Sequence, residues 1–190
     1  YGEIALVSAQ PQGGYLFAGW EGLSSGTYEG STIEVVVMGQ ENLRAKFVPA
    51  THVVTLSAST GGSVIGGGVF EHGQTVNIEA IAETGYHFVE WEGGEISDPN
   101  ASQSTLQVLG ESTIRARFAR KVYDLVLTTE TGGTVTGGGG YAHGGIAVIQ
   151  ALPEEDYVFS GWTGTGLQDS DSLSTQLEIT ADTQIHATFE

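Results

Sequence analysis

Cysteine is absent from the 190 residues, which excludes a disulfide framework, a thiol nucleophile and a thiolate metal site. Basic residues are scarce: six Lys and Arg stand against 23 Asp and Glu, a net charge of −17. Neutralising phosphates needs clustered cations, so this balance argues against a nucleic-acid partner. It also removes polybasic attachment to anionic lipid. Long apolar runs are missing too. Ile33–Met38 is among the longest and Glu34 interrupts it, so no membrane insertion is expected in this segment. Neither a signal peptide nor an initiator Met opens the chain, and Tyr1 is expected to mark an excised fragment. Glycine, by contrast, is abundant at 29 residues and shows no Gly-X-Y period, which points to a turn-rich chain. A hydrophobic content of 39% still suffices for packed cores.

A 71-residue repeat organises the chain. Trp20, Trp91 and Trp162 keep that spacing, as do Tyr15, Tyr86 and Tyr157, Phe17, Phe88 and Phe159, and Phe47, Phe118 and Phe189. Gly61-Gly62 recurs as Gly132-Gly133, and His72-Gly73 as His143-Gly144. A period of this size means tandem modules, each burying its own core or part of a shared one. We place the repeats at 1–49, 50–119 and 120–190, the first lacking the leading hairpin that His52–Glu71 gives the second. That leaves an open sheet edge, expected to be filled or covered. The joints, Val48–Thr51 and Ala119–Val122, are short, so neighbouring repeats are expected to have little freedom to swing.

Within a repeat the apolar period is two. Val54, Leu56 and Ala58 alternate with polar residues, as do Val76, Ile78 and Ala80, whose copies are Ala5, Val7, Ala9 and Ala147, Ile149, Ala151. Leu106 and Val108 match Val35, Val37 and Leu177, Ile179, and the closing strand buries Ile114, Ala116 and Phe118. Tyr86 and Phe88 share one face, but Trp91 breaks their parity, so a β-bulge or strand end is expected to return the indole to the core. No stretch has helical periodicity. The expectation is an all-β to β-rich chain with five or six short strands per repeat and no long helix.

These motifs also carry a resemblance. Gly61–Val64, Gly66–Gly73, Gly85–Gly93 and Ala116–Phe118, repeated at Gly132–Val135, Gly137–Gly144 and Ala187–Phe189, resemble the divergent internalin B-repeat of bacterial surface proteins. The third copy departs at Asp156, where the pattern has Gly before Tyr157; that turn needs a residue tolerating the left-handed region, as Asp does. The resemblance implies small β-grasp-like modules in tandem on large exported proteins, including adhesins and multidomain secreted enzymes, with no catalytic residue or cofactor to carry over.

Each sharper chemistry meets a plainer reading. The Trp series could stack on sugars, but recurrence in every copy fits the aromatic core of a small module. Glu90 and Glu92 bracket Trp91 like a hydrolytic pair, yet the same positions hold Gly19 and Glu21 in the first copy and Gly161 and Thr163 in the third. Asp169, Asp171, Glu95 and Asp98 offer oxygen ligands without the spacing of a calcium loop. His72 and His143 are single imidazoles in turns, too few for a metal site. Gly66–Gly68 lacks the third glycine and the helix of a phosphate loop. Arg44, Lys46, Arg115 and Arg117 alternate on the closing strand, where charge discourages edge pairing, while Arg120 and Lys121 lie in the second joint.

The expectation is therefore a protein without enzymatic activity, catalytic residues, bound metal or cofactor. It would act as spacer, stalk or adhesion segment of a secreted or cell-surface bacterial protein. Its core motif would be Tyr15, Phe17, Trp20, Phe47, Tyr86, Phe88, Trp91, Phe118, Tyr157, Phe159, Trp162 and Phe189. Neighbouring repeats are its expected partners, with cell-surface glycans or proteins as candidates outside the chain. The other reading is a carbohydrate-binding accessory module of a polysaccharide-degrading enzyme.

Overall fold

Alternating side chains turn each repeat into two layers of strands in a computed structural model, which describes residues 2–22, 30–40 and 42–190. The first repeat forms β1 (Glu3–Ser8), β2 (Tyr15–Glu21), β3 (Thr32–Val37) and β4 (Arg44–Pro49). The second forms β5 (Thr51–Ala58), β6 (Gly62–Ile65), β7 (Gly68–Glu71), β8 (Thr75–Ala82), β9 (Tyr86–Glu92), β10 (Gln103–Gln107) and β11 (Ser112–Arg120). The third forms β12 (Val122–Thr129), β13 (Gly133–Thr136), β14 (Gly139–Ala142), β15 (Gly145–Pro153), β16 (Phe159–Thr163), β17 (Ser174–Ile179) and β18 (Thr183–Phe189). The described residues contain no helix, so none is long and apolar enough to cross a membrane. Seven strands per complete repeat exceed the expected five or six, because the glycines at 66–67 and 137–138 hand the chain from one sheet to the other.

The third repeat shows the module most fully. One sheet has the order β14-β12-β18-β16, with the first and last strands of the repeat, β12 and β18, paired in parallel at its centre. That parallel centre flanked by antiparallel neighbours is the β-grasp-like feature. The second sheet, β13-β15-β17, is antiparallel. Ala147, Ile149 and Ala151 from β15 and Leu177 and Ile179 from β17 meet Leu125, Trp162, Ile185, Ala187 and Phe189 from the other sheet in one buried cluster. Period-two alternation produces this directly, since every second side chain faces the opposing sheet.

The second repeat has the same orders, β7-β5-β11-β9 and β10-β8-β6. The first has only the pairs β1-β3 and β2-β4 among its described residues. β5 lies between β7 and β11 rather than beside β4. Ile33 and Val35 are buried on β3, whereas Val37, expected to face the core, is exposed near the strand end. Contacts divide the chain into two compact units. One comprises Tyr1–Ser57, Val64–Ala80 and Glu90–Ala116, the other Ala58–Ser63, Ile81–Val89 and Arg117–Glu190.

Candidate functional site

The aromatic motif is built on an antiparallel pair in each repeat, formed by the closing strand and the strand two before it, β2 with β4, β9 with β11 and β16 with β18. In the third repeat Phe159 lies opposite Phe189, and the register then slips so that Gly161 faces Thr188 and Trp162 faces Ala187. The first repeat slips at the same place, between Phe17 and Gly19. Gly19 and Gly161 both have φ of 144°, a conformation that side chains rarely adopt. The extra residue restores the parity that Trp breaks, the bulge being one of the two expected routes. Phe159 and Trp162 sit with ring centroids 5.5 Å apart, and Phe159 meets Phe189 edge-on at 5.8 Å. Phe17–Trp20 at 5.5 Å and Phe17–Phe47 at 6.0 Å repeat the arrangement, and Phe88–Phe118 matches it at 5.9 Å.

The indole N–H points into its own repeat each time. Trp162 donates to the Ser172 carbonyl at 2.9 Å, Trp91 to Ala101 at 3.0 Å and Trp20 to Gly30 at 3.2 Å. Trp91 and Trp162 are 4% and 3% exposed, leaving no open indole face on which a sugar ring could stack. Phe17, Trp20, Tyr86, Phe88, Phe118 and Phe159 are half-buried. Tyr15, Phe47 and Tyr157 are more exposed than a core motif implies. The Tyr157 ring lies across Gly132 at the surface, and Phe47 sits on a strand paired on one side only.

The other candidate groups are dispersed. Glu92 is exposed and Glu90 half-buried at the end of β9. The Asp98 carboxylate accepts the Asn100 N–H at 2.9 Å, and Asp169 accepts that of Asp171 at 3.0 Å. These are Asx turns that shape their own loops. Among the described residues no three His, Asp or Glu side chains come together as a metal-holding group. Lys46 approaches Glu21 at 4.0 Å on the surface. Arg120 donates from Nε to the Tyr86 hydroxyl at 3.0 Å, and that bond pushes its already high pKa further up.

One polar arrangement recurs where the His-Gly turns, read from sequence as turns alone, meet the preceding repeat. In the first unit, the Ala50 N–H donates to the Gly14 carbonyl at 2.8 Å and the His72 N–H to the Ala50 carbonyl at 2.7 Å. The His72 ring lies flat against Gly14, so that a Cβ there would overlap the imidazole. His52 supports it through a 3.2 Å contact between ring nitrogens. The second unit repeats the device. Lys121 donates to Gly85 at 2.8 Å, His143 donates to Lys121 at 2.9 Å, and the His143 ring covers Gly85 as closely. Tyr123 replaces His52, with its ring centroid 5.9 Å from that of His143. The His143 Nδ1 atom is buried without a hydrogen-bond partner, in contrast to His72 Nδ1, which His52 contacts. Each glycine belongs to one repeat and each histidine to the next, which makes these the repeat joints. The shared register of Gly14 with Gly85 and His72 with His143 was the available signal; nothing in linear spacing says that the two meet.

A family model described as the divergent InlB B-repeat domain matches three times, at residues 1–51, 52–122 and 123–190. No curated protein and no solved structure matches the chain.

Proposed function

The chain belongs to the divergent InlB B-repeat family, and from that premise we propose that it is a spacer or stalk segment, contributing to adhesion, in a large secreted or surface-anchored bacterial protein. The family is one of bacterial surface proteins, and its modules are generally non-catalytic. One observation carries the reading. The recurring aromatic motif is spent on packing, with Trp91 and Trp162 buried and every indole N–H bonded inside its own repeat. A binding platform would leave those groups open to solvent. The joints support the same reading, because backbone hydrogen bonds and a stacked ring restrain each connection. Repeat bounds at 1–49, 50–119 and 120–190 agree with β5 lying between β7 and β11, and differ from the family-model bounds by a few residues.

Two measurements test the proposal together. Pulled between its ends, the chain should unfold in discrete steps of about 200–250 Å for each complete repeat, the extended length of the repeat less its folded span. On a glycan array it should retain nothing. Glycan binding that Trp162→Ala abolishes without lowering the melting temperature would replace the spacer with the carbohydrate-binding accessory module.

A further inference from the structure

The turn before the first motif aromatic has one backbone shape in all three repeats. Tyr15, Tyr86 and Tyr157 each donate their N–H to the carbonyl three residues earlier, on Gln12, Glu83 and Glu154, at 3.1, 3.0 and 3.2 Å. The residue immediately before each Tyr has φ of 82° at Gly14, 78° at Gly85 and 71° at Asp156. Asp156 is the only non-glycine residue with positive φ among those described. At Gly14 and Gly85 the space a Cβ would occupy is filled by the imidazole of the next repeat. At Asp156 the same backbone conformation places a Cβ in the equivalent space.

We propose that Asp156 closes the docking surface of the third repeat. The open surface, a left-handed glycine with an exposed carbonyl, accepts one kind of partner: the His-Gly turn and preceding strand of a following repeat. Asp156 occupies the position of the ring, so the joint made twice upstream cannot be made a third time. The series of docked joints therefore ends at this repeat, and any repeat attached after it is held by its linker alone. Gly and Asp at one register position thus encode a docked and a free joint respectively. This inference rests on the geometry of the turns and stands whether or not the array serves as a spacer.

The substitution can be moved in both directions. Gly85→Asp places in the second joint a residue whose backbone conformation is tolerated at Asp156, so the turn itself is kept. Amide exchange at Lys121 and His143 should then accelerate at least tenfold, and the double variant Gly85→Asp/His143→Gly, which empties the ring position, should recover the protection of Lys121. In the reciprocal experiment the full chain is lengthened by a second copy of residues 120–190 after Glu190. NMR relaxation should show the added repeat tumbling independently with Asp156 present and moving with its neighbour after Asp156→Gly. Equal docking of the added repeat in both chains would overturn the proposal, as would unchanged exchange in a folded Gly85→Asp. Should Gly85→Asp fail to fold, the lengthened pair still decides the matter.

Discussion

The first and third repeats share an aromatic motif and its geometry but not its burial. Phe17–Trp20 and Phe159–Trp162 are both 5.5 Å apart, the same register slip lies between them, and each indole bonds the carbonyl ten residues on. Yet Phe47 is 37% exposed where Phe189 is 6%, and Trp20 is half-buried where Trp162 is 3%. The difference lies in the neighbours. β18 runs between β12 and β16, whereas β4 has β2 on one side and no strand on the other among the described residues. The antiparallel pair that carries the rings therefore fixes the shape of the motif, and the strands that cover it fix how much apolar surface leaves water.

Trp substitutions probe this contrast hardest. Trp162→Ala, like Trp91→Ala, should lower stability by about 3–5 kcal/mol, the range for a buried large aromatic. Trp20→Ala should cost only about 1–2 kcal/mol, because less area is buried. Thermal and denaturant melts followed by NMR signals of each repeat would measure both; equal losses would mean that covering strands contribute nothing.

A smaller effect is expected from Gly133→Ala. Its Cβ would enter the Phe189 ring, for a cost of about 1–3 kcal/mol by overpacking, and Gly62→Ala should do the same against Phe118. The first repeat has no described counterpart to this contact. A neutral Gly133→Ala would show that the Phe189 ring can move aside freely.

Amide exchange sharpens the comparison further. N–H groups of β4 that face away from β2 should exchange at least tenfold faster than those of β18 that face β12, since unpaired strand edges open locally. Matching protection would reveal a covering segment on β4.

The smallest change expected is at the acidic loops. Asp98→Ala and Asp169→Ala each remove one carboxylate acceptor, at a cost of up to about 1 kcal/mol. EDTA should leave the melting temperature unchanged, and a large calcium-dependent rise would assign those loops a binding role.

Much of the fold was legible because its signals are local. The 71-residue register of aromatics marked the repeats, alternation marked the inward faces of β8, β15 and β18, and the misplaced parity of Trp called for a bulge or a strand end, of which the structure has the bulge. Strand count was less legible: four-residue strands such as β6 and β7 are too short to display a period, and glycines read as turns also pass the chain between sheets. Val37 followed the alternation but is exposed, whereas its copies Val108 and Ile179, also at or just past a strand end, are fully buried, so strand position alone does not decide its burial.

The sequence by itself determined the repeat, the β character and most of the inward residues, because these follow from side-chain period over a few residues, while the family resemblance implied a residue tolerating the left-handed region at Asp156. Only the tertiary structure decided which motif rings are sheltered, since burial depends on strands distant in sequence. It alone brought His72 onto Gly14 and His143 onto Gly85, and so gave Asp156 its meaning. A contact between residues 58 positions apart is a product of how successive repeats pack, and no local period encodes it.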